Sequence, residues 1–184
     1  MLIGFTGAQS TGKSTLLQAM IEDGEYRKCS FVKEVTRKVA GKGLNINDAG
    51  DNVTQLFILS EHLYNHHTAE DCMVLDRCII DGYIYTRWLY EQGKVDEWVY
   101  VHACQLHDIL IKRLDLVLYT DPADVQLVDD GVRSVNTEFR NDIIQLYDEY
   151  LNTRVHPVKI VTLTGDVPTR LNTIKQSINN LKNE

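Results

Sequence analysis

Nine residues near the start of the chain have the types and spacing that phosphate binding requires. They run Gly7-Ala8-Gln9-Ser10-Thr11-Gly12-Lys13-Ser14-Thr15, which fits the pattern G-x-x-x-x-G-K-[ST]. The two glycines lack a Cβ, so the backbone can curl around an anion and point its N–H groups at phosphate oxygens. We expect Lys13 to reach the β and γ phosphates of a nucleotide and the Ser14 hydroxyl to bind Mg²⁺.

The residues on either side of this loop predict the strand and the helix that it needs. Leu2-Ile3-Gly4-Phe5 is an apolar run typical of a short buried strand. The segment Leu16–Ile21 indicates a helix, whose N-terminus would add partial positive charge beside the phosphates. The alternative, a Gly-rich turn with a surface lysine, is disfavoured by this context.

Apolar runs separated by helical patterns continue along the chain and indicate one domain over residues 1–184. This alternation is typical of an α/β fold, a parallel sheet with helices on both faces. Strands are predicted at Leu2–Phe5, Ser30–Val35, Met73–Asp76, Leu114–Tyr119 and Val158–Leu163. Helices are predicted after the loop, at Thr36–Ala40, after a cap at Asn47 or Asp48, at Ile79–Tyr90, at Asp96–Arg113, at Glu138–Leu151 after a Thr137 cap, and at Pro168–Leu181.

Composition narrows the classes of partner. The net charge of −7 disfavours general attraction to nucleic acid or to an anionic membrane. No apolar run approaches membrane-spanning length, and no signal peptide is recognised, so we expect a cytoplasmic protein. The four cysteines, Cys29, Cys72, Cys78 and Cys104, form no C-x-x-C pair. They are therefore expected to be reduced, mostly buried thiols.

Three charged residues lie at the carboxyl ends of predicted strands, where ligands of open parallel sheets bind. Asp76 is the candidate second Mg²⁺ ligand, with a helix-capping role as the alternative. Arg77 has a planar fork suited to a phosphate or carboxylate, against the alternative of a surface salt bridge. Glu34 is the candidate general base for a hydroxyl acceptor. Its alternative is an ion pair with Lys33 or Arg37 that only closes the site.

The polar segment around residues 123–140 is the candidate lid. A kinase must exclude water from the transferring phosphoryl group, and arginines can stabilise the charge on that group. Arg133 and Arg140 are the candidates for that role, and Arg37 could also bind an anionic acceptor. The alternative is an ordinary solvated loop.

Two further groups of residues allow more than one interpretation. His62, His66 and His67 lie at helical spacing, but without an H-E-x-x-H arrangement a polar helix face is favoured over a metal site. The aromatic residues of the fourth predicted helix could equally belong to the core or line an acceptor pocket. They are Tyr83, Tyr85, Trp88 and Tyr90.

With these residues placed, the sequence resembles a family of small P-loop kinases. The family includes the ribosylnicotinamide kinase domain of bacterial NAD regulators and small phage and bacterial AAA-type ATPases or nucleotide kinases. The matching segments are 7–15, Glu34–Arg37, Asp76–Asp81 and Asp130–Arg133, in the expected order. More distantly, the Asp76-Arg77 pair and the lid arginines resemble those of deoxynucleoside kinases and thymidylate kinase.

This resemblance implies a three-layer P-loop NTPase sandwich with strand order 2-3-1-4-5. It implies ATP- and Mg²⁺-dependent phosphorylation of a nucleoside, a nucleotide or a similar hydroxyl acceptor. In such a sheet, we expect Gly165, Asp166 and Val167 to meet the adenine, with Arg133 covering its other face. The nucleotidyltransferase and DNA-binding parts of NAD regulators have no counterpart in this sequence, so their pathway does not transfer.

Alternatives in function and assembly stay open at this point. One is a regulatory ATPase that acts as a nucleotide-driven switch and phosphorylates nothing. Another is a kinase of hydroxymethylated bases in DNA, which the acidic net charge disfavours. The sequence leaves open whether the chain is a monomer or a homodimer. Glu34 and the lid arginines favour a small-molecule kinase over the switch.

Overall fold

The fold is built on a central parallel sheet. The computed structural model describes residues 1–33, 35–69, 71–123, 136–153 and 155–183. Within these ranges the sheet has five strands in the order β2-β3-β1-β4-β5. The strands are β1 (Leu2–Thr6), β2 (Ser30–Val32), β3 (Met73–Leu75), β4 (Leu116–Thr120) and β5 (Lys159–Leu163). The predicted fold class and strand order are therefore confirmed.

Helices cover both faces of the sheet. They are α1 (Lys13–Asp23), α2 (Val35–Ala40), α3 (Asn52–His67), α4 (Ile79–Glu91), α5 (Glu97–Leu110), α6 (Thr137–Thr153) and α7 (Val167–Asn183). One apolar layer joins β1 to α1 and α7, through residues such as Phe5, Leu16 and Ile174. The other layer joins the sheet to α4, α5 and α6. Strands β1 and β4 are buried along their whole length, which explains their continuous apolar runs.

Two predicted helix caps were wrong by a few residues. Helix α3 begins at Asn52, because the Asp51 side chain accepts the Thr54 N–H at 2.9 Å. Residues Asn47–Ala49 form a separate 3-10 turn. At α6 the cap is Asn136, whose side chain accepts the Phe139 N–H at 3.2 Å. Neighbouring Asn, Asp and Thr residues are all good caps, so their side-chain types alone do not choose among them.

The prediction that all four cysteines are free thiols was wrong for two of them. Cys29 and Cys72 form a disulfide. They precede β2 and β3, which are adjacent in the sheet, so a sequence separation of 43 becomes a Cα–Cα distance of 4.5 Å. Cys78 and Cys104 are free. In the described ranges, every helix falls short of the length and apolar character that crossing a membrane requires.

Candidate active site

The phosphate loop occupies the turn between β1 and α1. Its backbone takes positive φ at Gly7 (136°) and Gly12 (86°), which glycine adopts without strain. A Cβ at position 7 would lie 2.6 Å from the Thr120 Oγ1 and 2.9 Å from the Thr120 carbonyl oxygen. Gly7 is therefore required both by its backbone angle and by the close approach of β4.

Buried hydrogen bonds hold this loop in shape. The Thr11 hydroxyl donates to the Ala8 carbonyl at 3.0 Å and lies 2.6 Å from the Thr120 hydroxyl. The Lys13 ammonium is also buried, and it donates to the carbonyls of Gly7 at 2.8 Å and Ala8 at 2.5 Å. A positive charge thus lies inside the curve of the loop. Gln9 and Ser10 are buried as well, whereas Thr15 is exposed on α1.

Ser14 and Asp76 come together beside the loop, as the sequence predicted. The Ser14 hydroxyl donates to the Asp76 Oδ2 at 3.0 Å, and Asp76 is buried just after β3. Hydroxyl and carboxylate oxygens are the ligands that Mg²⁺ prefers, so this pair is the candidate for holding that ion. The alternative role of Asp76 as a helix cap is not observed, since Cys78 is the N-cap of α4.

Arg77 is buried beside the same loop, and the alternative of a surface salt bridge was wrong. Its Nη1 donates to the Asp81 Oδ1 at 2.5 Å and to the Gly7 carbonyl at 3.3 Å. Its guanidinium lies over the ring of Tyr85, 5.2 Å from the ring centroid. The charge of Arg77 is therefore matched by a buried carboxylate one helical turn away.

A narrow cleft opens next to the phosphate loop. Its walls come from α2, α3 and α4 and from the turn before α3. They include Thr36, Asn47, Gln55, Ile58, His62, Arg77, Asp81, Gly82 and Tyr85. The Tyr85 hydroxyl donates to the Gln9 Oε1 at 3.1 Å, so the cleft adjoins the loop directly.

Tyr85 lines this cleft, whereas the other aromatic residues of α4 pack elsewhere. Tyr83 is buried in the core beside His107. Trp88 packs on Phe139 with ring centroids 4.5 Å apart, and Tyr90 stacks on Tyr100. The two interpretations of these aromatic residues thus apply to different members of the group.

Other candidate residues lie outside the described ranges or away from the cleft walls. Glu34, Arg133 and residues 124–135 of the candidate lid are not among the described residues. The chain neighbours of Glu34 are described, and Thr36 lines the cleft. Arg37 is exposed on α2. Arg140, at the start of α6, places its Nε 3.4 Å from the Gln9 carbonyl oxygen.

The loop expected to meet the adenine is held by a buried arginine that the sequence interpretation missed. Arg170 donates to the carbonyls of Gly165 at 2.8 Å, Thr11 at 2.9 Å and Asp121 at 3.1 Å. It thereby joins the loop before α7, the phosphate loop and the end of β4. The exposed Asp166 side chain caps α7 by accepting the Thr169 N–H at 3.0 Å, and these hydrogen bonds lower its pKa. A lone arginine in an amphipathic helix carries no sequence signal of this role.

The interpretation of the α3 histidines as a polar surface face was wrong for two of them. His62 and His66 are buried, and burial is the largest cause that lowers the pKa of each ring to about 3. Arg77 lowers the pKa of His62 further, and His62 does the same to His66. Among the described residues, His, Cys, Asp and Glu side chains form no cluster of three or more suited to a metal.

The phosphate loop and this sheet order together define a P-loop nucleotide-binding protein. A family model described as an AAA domain matches residues 2–170, so the chain belongs to that family. No curated protein matches the chain in sequence.

Solved structures of nucleoside and nucleotide kinases share the fold. The chain is similar to deoxyadenosine kinase from M. mycoides with products bound, with a TM-score of 0.69 and 19% identity over 98% of this chain and 100% of that chain. The same enzyme with bound dATP gives a TM-score of 0.65 at 19% identity, over 97% and 99% of the two chains. Thymidylate kinase from Candida albicans gives 0.62 at 17% identity, over 99% and 92%. At these identities the likeness establishes the fold.

Proposed function

We propose that this chain is a kinase that transfers the γ-phosphoryl group of ATP to a hydroxyl of a nucleoside, a (deoxy)nucleotide or a related acceptor. The observation that carries the proposal is the direct contact between a phosphate loop and an adjoining cleft, through the Tyr85–Gln9 hydrogen bond. A donor site and an adjoining acceptor site are what phosphoryl transfer requires. The structurally similar proteins support this choice, since they are a deoxyadenosine kinase with dCMP and dCDP bound and a thymidylate kinase.

The phosphate loop would hold the triphosphate. Its N–H groups and the N-terminus of α1 suit the phosphate oxygens, and Lys13 would exchange its carbonyl contacts for the β and γ phosphates. Ser14 and Asp76 would hold Mg²⁺, which neutralises charge on the phosphates when bound. Replacing Lys13 by Ala should leave the fold intact and lower ATP turnover by ~10²-fold or more, the usual effect of removing one preorganised electrostatic group.

The base of ATP would lie at the loop before α7. Backbone groups of Gly165, Asp166 and Val167 are the proposed contacts, with Arg133 on the other face of the base. Arg170 supports this assignment because it fastens the Gly165 carbonyl to the phosphate loop. Backbone groups read a purine edge loosely, so we expect only a modest preference for ATP over GTP, measurable from kcat/KM for the two nucleotides.

The acceptor would enter the cleft beside Thr36, Gln55 and Tyr85. Its hydroxyl oxygen forms a bond to the γ phosphorus while the bond from that phosphorus to the ADP oxygen breaks. The hydroxyl proton passes to a carboxylate, which we assign to Glu34, while Asp76 serves the metal. Arg77, Arg133, Arg140 and Arg37 would bind or stabilise the anionic groups around the transfer.

A regulatory ATPase switch and a kinase of hydroxymethylated bases in DNA are the alternatives. One panel separates all three: ATP turnover alone, with nucleosides, with nucleoside monophosphates, and with DNA that contains hydroxymethylated bases. ADP release that depends on a nucleoside or nucleotide supports the proposal. Release without an acceptor supports the switch, and release only with the DNA supports the third function. The Lys13→Ala variant is the control for contaminating ATPase activity.

We further propose that the active form is a homodimer. Helices α3 and α5 pack together, and apolar side chains of both line one open surface hollow, Leu56 from α3 and Trp98 and Val101 from α5. Such a face on a monomer is unusual, and a second copy would cover it. Light scattering should give about twice the mass of the chain, and Trp98→Glu should reduce it to one chain.

We also propose that the protein acts in the cytoplasm and that it is related to the ribosylnicotinamide kinases and the small phage kinases. The cytoplasm supplies ATP and nucleosides, although the Cys29–Cys72 disulfide is unusual for that compartment. Inclusion of ribosylnicotinamide in the acceptor panel tests the kinship directly. Phosphorylation of ribosylnicotinamide above all other acceptors would support it.

A further inference from the structure

A buried histidine lines the acceptor cleft and forms no hydrogen bond within the described chain. His62 lies on α3 and is 1% exposed. Its Nδ1 is enclosed and has no partner. The ring faces the cleft together with Gln55, which lies two turns earlier on the same face of α3. Buried polar groups are normally satisfied, so an unsatisfied one beside a cleft requires an explanation.

His66 shows that burial on α3 does not by itself leave a histidine without partners. It lies one turn after His62 and is equally buried. Its Nδ1 also has no hydrogen-bond partner within the described chain, but its Nε2 accepts the Ile79 N–H at 3.3 Å, so the ring helps to dock the start of α4. His66 is not among the cleft residues. His62 makes no comparable structural contact, and an apolar side chain would fill its place at lower cost.

The cleft around His62 offers neutral hydrogen-bonding groups. Burial and the nearby Arg77 lower the pKa of His62 to about 3, so its ring is uncharged near neutral pH. One ring nitrogen then donates and the other accepts. The charge of Arg77 is matched by Asp81 at 2.5 Å. The part of the cleft beside His62 and Gln55 therefore suits an uncharged polar ring better than an anionic group.

Two neighbours extend the surface that such a ring would meet. The Thr86 hydroxyl donates to the Gln55 Oε1 at 3.0 Å, which orients the carboxamide. Tyr85 presents a flat aromatic ring on another wall of the cleft, backed by Arg77. A planar heterocycle can stack on a ring of this kind while its edge meets neutral donors and acceptors.

We propose that His62 is a specificity-determining residue for the acceptor, and that its imidazole hydrogen-bonds the polar edge of the acceptor's heterocyclic base beside Gln55. The inference rests on the proposed kinase function. It assigns the acceptor to molecules that carry a base with amino or amide groups on its edge. Sugars and polyols without a base are excluded as good acceptors.

The test compares matched nucleosides that differ only at this edge. Adenosine is compared with purine riboside, and cytidine with its analogue that lacks the 4-amino group, with D-ribose as the acceptor without a base. kcat/KM is measured for wild type, His62→Leu and His62→Gln. Ile58→Val is the control, because it trims the same cleft one turn earlier without changing any polar group. Circular dichroism and the ATP-induced shift in Tm report folding and nucleotide binding.

In at least one of the two pairs, we expect the kcat/KM of wild type to be about 10-fold higher for the nucleoside with the amino group, which is the effect of one well-placed hydrogen bond. His62→Leu should bring that ratio close to one, His62→Gln should keep part of it, and Ile58→Val should preserve it. D-ribose should be at least ~10-fold poorer than either nucleoside.

Two results would overturn the inference while leaving the kinase function standing. One is a wild-type enzyme that phosphorylates nucleosides with a ratio near one in both pairs. The other is a folded His62→Leu variant that keeps the wild-type ratio. If that variant does not fold, a His62→Gln variant whose ratio equals that of wild type counts in its place. A wild type that binds ATP but phosphorylates neither these nucleosides nor their 5′-monophosphates would overturn the proposed function and this inference together.

Discussion

Replacing Arg170 by Lys should loosen the nucleotide site without touching the reacting groups. The guanidinium donates to three carbonyl oxygens from three segments, Gly165, Thr11 and Asp121. A lysine ammonium keeps the charge but can reach about one of them from a single point. A hydrogen bond to a charged group contributes roughly 1.5–3 kcal/mol. The Lys variant should therefore lose two of these hydrogen bonds. Because Gly165 is exposed, its carbonyl regains a hydrogen bond from water, so we expect a decrease of about 2–4 kcal/mol in the free energy of unfolding.

The effect on activity should appear in KM more than in kcat. Arg170 holds the loop proposed to meet the adenine against the phosphate loop, so its loss should raise the KM for ATP by ~10-fold, the equivalent of about 1.4 kcal/mol. Because Arg170 does not contact the proposed transfer site, kcat should change by less than ~3-fold. Urea unfolding with and without ATP, together with steady-state kinetics, measures both quantities.

Lys175→Ala is the matched control, because it removes a cation from the same helix. Lys175 lies 2.8 Å from Asp23 on the surface and joins none of the loops of the site. Its loss should leave the KM for ATP unchanged. If Arg170→Lys also keeps its KM and unfolds at the wild-type urea concentration, the view of Arg170 as a link between the two loops is wrong.

Three further predictions follow from the charged and covalent groups. Asp76→Asn should be partly rescued by high Mg²⁺ concentration, whereas Glu34→Gln should keep ATP binding and lose ~10²- to 10⁴-fold of acceptor phosphorylation; rescue of only the Glu34 variant would reverse these roles. The pKa values of His62 and His66, lowered to about 3 in the folded chain, mean that the unfolded chain binds more protons between pH 6.5 and 3, so stability falls as pH falls through that window. The free energy of unfolding measured in urea should fall by roughly 4 kcal/mol from pH 6 to 4.5, and His62→Gln should halve its slope against pH. The same slope in wild type and His62→Gln would contradict a buried neutral His62. Reduction of the Cys29–Cys72 disulfide should lower the free energy of unfolding by about 2–4 kcal/mol, seen as a lower urea midpoint in reducing buffer and absent in Cys29→Ser.

The sequence by itself determined the phosphate loop, the alternation of strands and helices, and the meeting of Ser14 with Asp76. The first two rest on local information, and the third rests on the strand order that the family resemblance implied. Gly7 and Gly12 are demanded by backbone angles and a close approach, and apolar runs such as Leu116–Thr120 are demanded by burial on both faces of the sheet. The carboxyl ends of parallel strands share one edge, so residues that follow different strands are brought together once the strand order is known.

Only the tertiary structure decided the roles that depend on distant segments. The Cys29–Cys72 disulfide needs β2 and β3 to be neighbours, and the three carbonyls that Arg170 joins come from separate parts of the chain. The histidines of α3 illustrate the same limit. Their helical spacing was plain in the sequence, but which face of α3 is covered depends on α4, which buries both rings, and on the cleft, to which only His62 contributes. Burial and partners are properties of packing between segments, and a residue's type and local spacing do not contain them.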